Sequence, residues 1–254
     1  MSSLLRYLLS RLEFWKPILT HDDFKAQYAN GQRDFSWRRF QGVVLYGIPL
    51  AGLKLQGADL RYADLRGADF TGANLSDVDL RGVNLADTDL CKTNLQRARL
   101  QRANLAQAYL FQVNLAQVNL HAVNLHRAVL AGTNLSQARL SRANCSDAIF
   151  TEANLSNASL YRANFAHAAI DRINLAGADL RGTNLALADI QETGVGKARF
   201  ALQNDDRAIR LYSNTQDAVQ IVASGVKRSD ISLLDAFTGN YEVLPPDSSS
   251  DSSR

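Results

Sequence analysis

From Phe35 to Phe200 every residue whose number is a multiple of five is Leu, Phe, Ile, Val or Cys. Two places before each, from Ala58 onward, stands a small or β-branched residue: Ala68, Ala73, Val78, Val83, Thr88, Thr93 and so on to Thr193 and Ala198. Residues between the two columns are mostly polar. A period of five fits neither the α-helix nor the strand, so neither element alone explains it. A bend every five residues does. If each pentapeptide is one side of a square, four sides make a coil and the large apolar residue points inward with its small companion. Stacking at about 4.8 Å per coil then gives an all-β solenoid of about eight coils between 35 and 200, filled by leucine ladders.

Volume compensation supports the same stack. Cys145 is the smallest residue of the large column and Phe165 one of the largest, and a twenty-residue coil sets one directly on the other. The first sides depart from the pattern. Arg33 and Arg38 stand in the small column, and Val43, Ile48 and Leu53 are larger than usual there, which predicts a distorted first coil.

Both flanks read as covers for the open ends that a stacked solenoid leaves. Leu4 to Trp15 has helical spacing and stops at Pro17. A second short helix starts at Thr20, with Asp23 completing a capping box, and stops at Asn30-Gly31. After Phe200 the register is lost: Asp205 to Tyr212 suggests a short helix, Ala218 to Ala223 a strand, and Ile231 to Leu244 a hairpin turning at Thr238-Gly239-Asn240. The expected organisation is a helical cap over 1–34, the solenoid over 35–200, a capping segment over 201–245 and a disordered tail over 246–254.

Ala58-Asp59-Leu60-Arg61-Tyr62 followed by Ala63-Asp64-Leu65-Arg66-Gly67 resembles the A(D/N)LXX motif of the pentapeptide-repeat proteins, and the likeness covers about two-thirds of the chain. That resemblance implies a right-handed quadrilateral β-helix. It also implies a non-enzymatic interaction protein, some members being thought to protect DNA gyrase by mimicking DNA with an acidic rod. This chain departs from that acidic surface. With 28 Lys and Arg against 25 Asp and Glu its net charge is +3, so gyrase interaction is an alternative that the basic surface disfavours.

No catalytic or metal constellation emerges, and no cofactor is called for. His21, His121, His126 and His167 fall in different elements or columns without converging carboxylates or thiolates. Cys91 is expected outward and Cys145 inward, too far apart to pair, and two lone cysteines suit a reduced cytoplasmic setting. No run is long enough to cross a membrane. The Leu4–Trp15 helix has the ingredients of membrane-surface contact, though an open solenoid end also explains its apolar face.

The outward positions carry the remaining information. Asparagine recurs every tenth residue from Asn74 to Asn184, predicting two amide ladders on opposite sides. The other two sides differ from each other. One places Arg99, Arg102, His121, Arg139, Arg142, Tyr161 and Arg162 outward with no carboxylate among them. Its opposite presents an apolar strip of Tyr109, Phe111, Val129 and Ile149, with Ala131 and Ala169 beside them. An interaction scaffold binding a protein partner through the strip, the arginine face or both is the favoured reading, with self-association included. Nucleic-acid binding by Arg99, Arg102, Arg139, Arg142 and Arg162 is the alternative, although five arginines are few for a duplex. The C-terminal segment folding back over the strip is a third possibility.

Overall fold

The computed structural model describes residues 17–191, 199–202, 210–212 and 221–223. Parallel bridges join residues twenty apart along four ladders, one per side. They run through Asp59, Asp79 and Arg99; Asp64, Asn84 and Asn104; Asp69, Asp89 and Tyr109; and Asn74, Asn94 and Asn114. Each side is held by a few bonds. The amide of Leu60 donates to the Asp79 carbonyl at 2.9 Å, that of Asp79 donates back to the Ala58 carbonyl at 2.9 Å, and that of Ala63 closes the corner onto the Leu60 carbonyl at 3.1 Å. The result is a four-sided β-solenoid.

Five-residue periodicity arises at the corners. Every fifth residue from Trp37 to Leu187 has φ between +49° and +69°, at the turn position where a type II turn needs a positive value. Glycine adopts that conformation freely and other residues pay of the order of 1 kcal/mol for it. Glycine supplies most of these corners up to Gly82, yet from Asp87 to Arg172 the only one is Gly132. At Gly57 and Gly82 there is a second reason for glycine, because an added Cβ would lie 2.2 Å from the Trp37 ring and 2.7 Å from the Tyr62 ring.

The two inward columns form one continuous core, as the pattern predicts. Threonines within it are satisfied, Thr93 and Thr133 donating to the carbonyls of Phe70 and Leu110 at 2.9 and 2.8 Å. Cys145 and Phe165 stack where expected, both buried, with the Phe165 ring also 5.2 Å from that of Phe150.

The expected distortion of the first coil does not occur. Asp34, Arg39, Val44 and Pro49 pair in register with Lys54, Asp59, Asp64 and Asp69. Arg33 escapes the core by turning outward, donating to the carbonyls of Tyr28 and Gln32 at 2.7 and 2.9 Å with its guanidinium 3.9 Å from the Tyr28 ring. Helix α1, His21–Ala29, begins with the anticipated Thr20–Asp23 capping box. Its Phe24 is buried with ring centroids 4.9 Å from Phe35 and 5.9 Å from Phe40. Before it, Ile18 pairs with Arg39, adding an unforeseen strand segment to the arginine side. The helix expected over Leu4–Trp15 lies outside the described residues.

At the other end two short sheets continue the columns. Strands β1 (Ile149–Thr151), β2 (Ala169–Asp171), β4 (Asp189–Gln191) and β6 (Arg210–Tyr212) extend the strip side. Strands β3 (Asp179–Arg181), β5 (Arg199–Leu202) and β7 (Ile221–Ala223) extend the arginine side. Ile190 pairs with Leu211 and Phe200 with Ile221, so the step there is one residue longer than below. Arg210–Tyr212 is thus a strand where the sequence suggests a helix, while the strand expected near Ala223 is present. The hairpin over Ile231–Leu244 and the tail over 246–254 lie outside the described residues.

Candidate interaction faces

Two of the four sides carry stacked asparagines. On one an unbroken series runs from Asn84 to Asn184, with Asn104 donating to Asn84 at 2.9 Å, Asn124 to Asn104 at 2.9 Å and Asn184 to Asn164 at 2.8 Å, whereas on the other Asn94 donates to Asn74 and Asn134 to Asn114, both at 3.3 Å. Each Oδ1 also accepts the amide two residues on, as Asn124 does from His126 at 3.2 Å. These side chains are used up in holding the sides together.

The arginine side changes character along the rod. In its outer coils the arginines are matched within one side: Arg61 with Asp59, Arg81 with Asp79 and Arg181 with Asp179 each make two parallel bonds of 2.7–2.9 Å. Burial works to raise the Asp59 carboxyl, but hydrogen bonds from Arg61 and Gln41 outweigh it and hold the group below its ordinary value. In the middle coils the same ladder runs Arg99, Asn119, Arg139, Ser159. Arg99 still reaches Asp79 at 3.9 Å, and Arg162 lies 5.1 Å from the Tyr161 ring. Among the described residues no carboxylate comes within ion-pair distance of Arg102, Arg139, Arg142 or Arg162, and all four side chains are exposed. Arg102, Arg142 and Arg162 share one corner column at φ between +57° and +60°. One coil step, about 4.8 Å, separates the last two.

The opposite side places Tyr109, Val129, Ile149 and Ala169 on consecutive rungs of one ladder. Tyr109 is 54 % exposed, Phe111 43 % and Ile149 42 %, whereas Val129 is half-buried between its neighbours. Asp69 and Asp89 precede them on the ladder and Asp189 follows. The sequence strip is therefore one contiguous patch. Whether the C-terminal segment reaches it falls outside the described residues.

A Ser–His–Asp group lies elsewhere on the surface. His126 Nδ1 is 3.0 Å from Ser146 Oγ and 3.4 Å from Asp147 Oδ2. A nucleophilic triad needs hydroxyl and carboxylate on different ring nitrogens, and here both meet the same one. Sequence reasoning did not single out this trio, because it spans adjacent coils. Cys145 faces inward, where burial pushes its thiol far up, and Cys91 faces outward, half-buried, its thiol raised by burial and by Asp89. Among the described residues no three His, Cys, Asp or Glu side chains converge as a metal group, and no helix is long and apolar enough to cross a membrane.

Comparison with known proteins agrees with the repeat. The pentapeptide-repeat family profile, in eight copies, matches residues 50–85 and 79–117, and the pentapeptide-repeat-region profile matches 103–180. Solved structures that resemble the chain include HetL, a pentapeptide repeat protein involved in heterocyst differentiation regulation from the cyanobacterium Nostoc sp. strain PCC 7120. It is 28% identical over 70% of this chain and 93% of its own, with a TM-score of 0.30. QnrB1, a plasmid-mediated fluoroquinolone resistance protein, is 15% identical over 79% of this chain and 97% of its own, TM-score 0.46. Rfr23 from the cyanobacterium Cyanothece 51142 is 25% identical over 48% and 92%, TM-score 0.33. No curated protein matches.

Proposed function

This chain belongs to the pentapeptide-repeat family, and from that premise we propose that it is a non-enzymatic scaffold that binds a protein partner on the middle coils of its two non-asparagine sides. The observation that carries the reading is a coincidence of position. The arginines without carboxylates and the exposed apolar residues occupy the same coils, on opposite sides, while ordinary paired or acidic residues stand above and below both. Arginine and large apolar side chains are the residue types that anchor protein interfaces.

In this reading the filled interior leaves catalysis no cleft, α1 and the segment before it cap one end of about eight coils, and the segment that begins at residue 201 caps the other. Cytoplasmic residence belongs to the same proposal. Self-association through the strip alone is disfavoured by size. Three rungs span about 10 Å along the rod and one five-residue side is at most about 16 Å wide, an area of roughly 160 Å², well short of the roughly 800 Å² per partner of a standard interface.

The test is a Tyr109→Ser, Ile149→Ser double variant and an Arg99→Ser, Arg139→Ser, Arg142→Ser triple variant, each compared with wild type by affinity capture and circular dichroism. Both should fold as wild type does, since exposed side chains contribute little, and each should lose a specific partner. Identical recovered proteins from all three chains would refute the proposal. The free guanidiniums also favour a second reading, nucleic-acid binding, which predicts tight and steeply salt-dependent binding of DNA or RNA at physiological ionic strength.

A further inference from the structure

We infer that residues 229–253 of this chain dock on its own arginine face and compete there with acidic partners; the inference rests on the proposal that this face is a binding surface. The first observation is where the described chain ends. Strand β7 pairs with β5, and β5 with β3, on the arginine side. Within these pairings Ala223 stands opposite Leu202, two positions beyond the residue paired with Phe200. That column of corner positions continues down through Gly182 to Arg162 and Arg142. The last described residue therefore lies about three rungs, roughly 14 Å, from Arg162 along the same edge.

The second observation is charge. Between Ser229 and Ser253 there are five acidic residues, Asp230, Asp235, Glu242, Asp247 and Asp251, and no Lys or Arg. This stretch removes five charges from a chain whose net is only +3, leaving +8 on the other residues. On the arginine face, Arg102, Arg139 and Arg142 have no carboxylate of a described residue in reach. Acidic chain and unmatched guanidiniums are thus joined by a short connection.

Reach is sufficient. Asp230 follows Ala223 by seven residues, about 23 Å when extended, and Asp235 by twelve, about 40 Å, against roughly 29 Å from Ala223 to Arg102 along the edge. Tethering supplies the rest. A short tether gives an effective concentration in the millimolar range, so a segment that binds only weakly when detached is substantially docked when attached. The apolar strip is the less suitable seat, because it lies on the opposite side and offers no positive charge to match the five acids. A tethered acidic segment would make access to the face depend on ionic strength, since exposed charges are screened beyond about 8 Å in physiological salt.

The experiment keeps the full chain. A labelled peptide of residues 229–253 is titrated by fluorescence anisotropy into wild type and into a variant with Asp230→Asn, Asp235→Asn, Glu242→Gln, Asp247→Asn and Asp251→Asn. The peptide should bind the tail-neutralised chain at least tenfold more tightly than wild type, and Arg99→Ser, Arg139→Ser, Arg142→Ser added to that variant should abolish binding. A poly-glutamate peptide separates the two levels of the inference. If it binds wild type and the tail-neutralised chain equally, the face is a binding surface that the tail does not cover, and the docking inference falls alone. If neither peptide binds the tail-neutralised chain, the arginine-face reading falls with it. Light scattering completes the set: wild type should remain monomeric, and association that disappears with the arginine substitutions would place the tail on a second copy and overturn docking in cis.

Discussion

The outer and middle coils of this solenoid share one backbone and differ only in what they show. On the arginine side the ladder reads Asp59, Asp79, then Arg99, Asn119, Arg139, Ser159, then Asp179. On the strip side it reads Asp69, Asp89, then Tyr109, Val129, Ile149, Ala169, then Asp189. Over the same span asparagine recurs at every rung of the other two ladders, and the amide-to-carbonyl bonds between coils lie mostly between 2.7 and 3.1 Å, that from Leu100 to the Asn119 carbonyl being stretched to 3.4 Å. Two sides therefore maintain the stack while the other two vary freely. A repeat whose core and cross-bonds are settled by inward residues and asparagines can change its outward residues coil by coil at little cost to the fold.

The hardest way to break that separation is to enter the core. Leu120 is fully buried in the middle of the arginine side. Leu120→Asp should cost on the order of 4 kcal/mol or more, since no partner awaits a carboxylate there. Urea denaturation followed by circular dichroism reads the loss. By contrast Val129→Asp, which gives a middle coil the residue its ladder carries at Asp89, should leave the midpoint nearly unchanged. A large loss for Val129→Asp would mean that the strip is part of the scaffold after all.

The asparagine ladder comes next in size. Asn124 donates to Asn104, accepts from Asn144 at 3.1 Å and caps the His126 amide. Asn124→Ala should cost about 1–2 kcal/mol, because the neighbouring amides lose their partners. Asn184→Ala, on the last described rung of the same ladder, should cost less. Equal losses would show that the ladder is not cooperative along its length.

Much of this was legible in the sequence because the signal repeats. One misplaced residue in a leucine column would be visible against its neighbours, and the same holds for the asparagines, the arginines and Tyr109, Val129 and Ile149. What escaped was non-periodic. The register past Phe200 was lost because one extra residue precedes Leu211, and neither Asp205 and Asp206 nor Thr215 and Gln216 offer the apolar residue that would have revealed the shift. The first coil was expected to be distorted because a column position was equated with an inward side chain. Arg33 simply turns out to the carbonyls at the end of α1. The contrast between Arg61, beside Asp59, and Arg102, with no carboxylate on its stretch of the side, was legible in the sequence as well, and the structure adds the two parallel bonds of 2.9 and 2.8 Å that join Arg61 to Asp59.

Acid should separate the two regions by a smaller margin. The bonds from Arg66 hold the Asp64 carboxyl below its usual range, and those from Arg97 do the same for Asp77, as Arg61 and Gln41 do for Asp59. A carboxylate depressed in the folded state adds stability that is fully present above its unfolded value near 4 and is lost as pH falls through the folded value. Amide hydrogen exchange compared between pH 6 and pH 3 should therefore show protection falling more around residues 59–97 than around 100–140. Uniform loss along the rod would deny these pairs a local role.

The smallest expected effect concerns the corners. Gly67 and Gln107 occupy the same corner column two coils apart, with φ of +62° and +61°. An added Cβ at Gly67 would meet only the Tyr46 ring, at an ordinary 3.8 Å, so space is not an issue and the backbone decides. Gly67→Gln should then cost somewhat under about 1 kcal/mol, the strain of a side chain at positive φ less the entropy that glycine gives up on folding. Gln107→Gly should return a few tenths of a kcal/mol for the same reason, its amide keeping the 2.8 Å bond to the His126 carbonyl. Thermal midpoints of the two reciprocal variants measure both signs. If Gln107→Gly instead lowers the midpoint, the glutamine side chain is engaged in holding the middle coils together. The contrast between a strained, displayed corner and a relaxed one would then have to be withdrawn at that position.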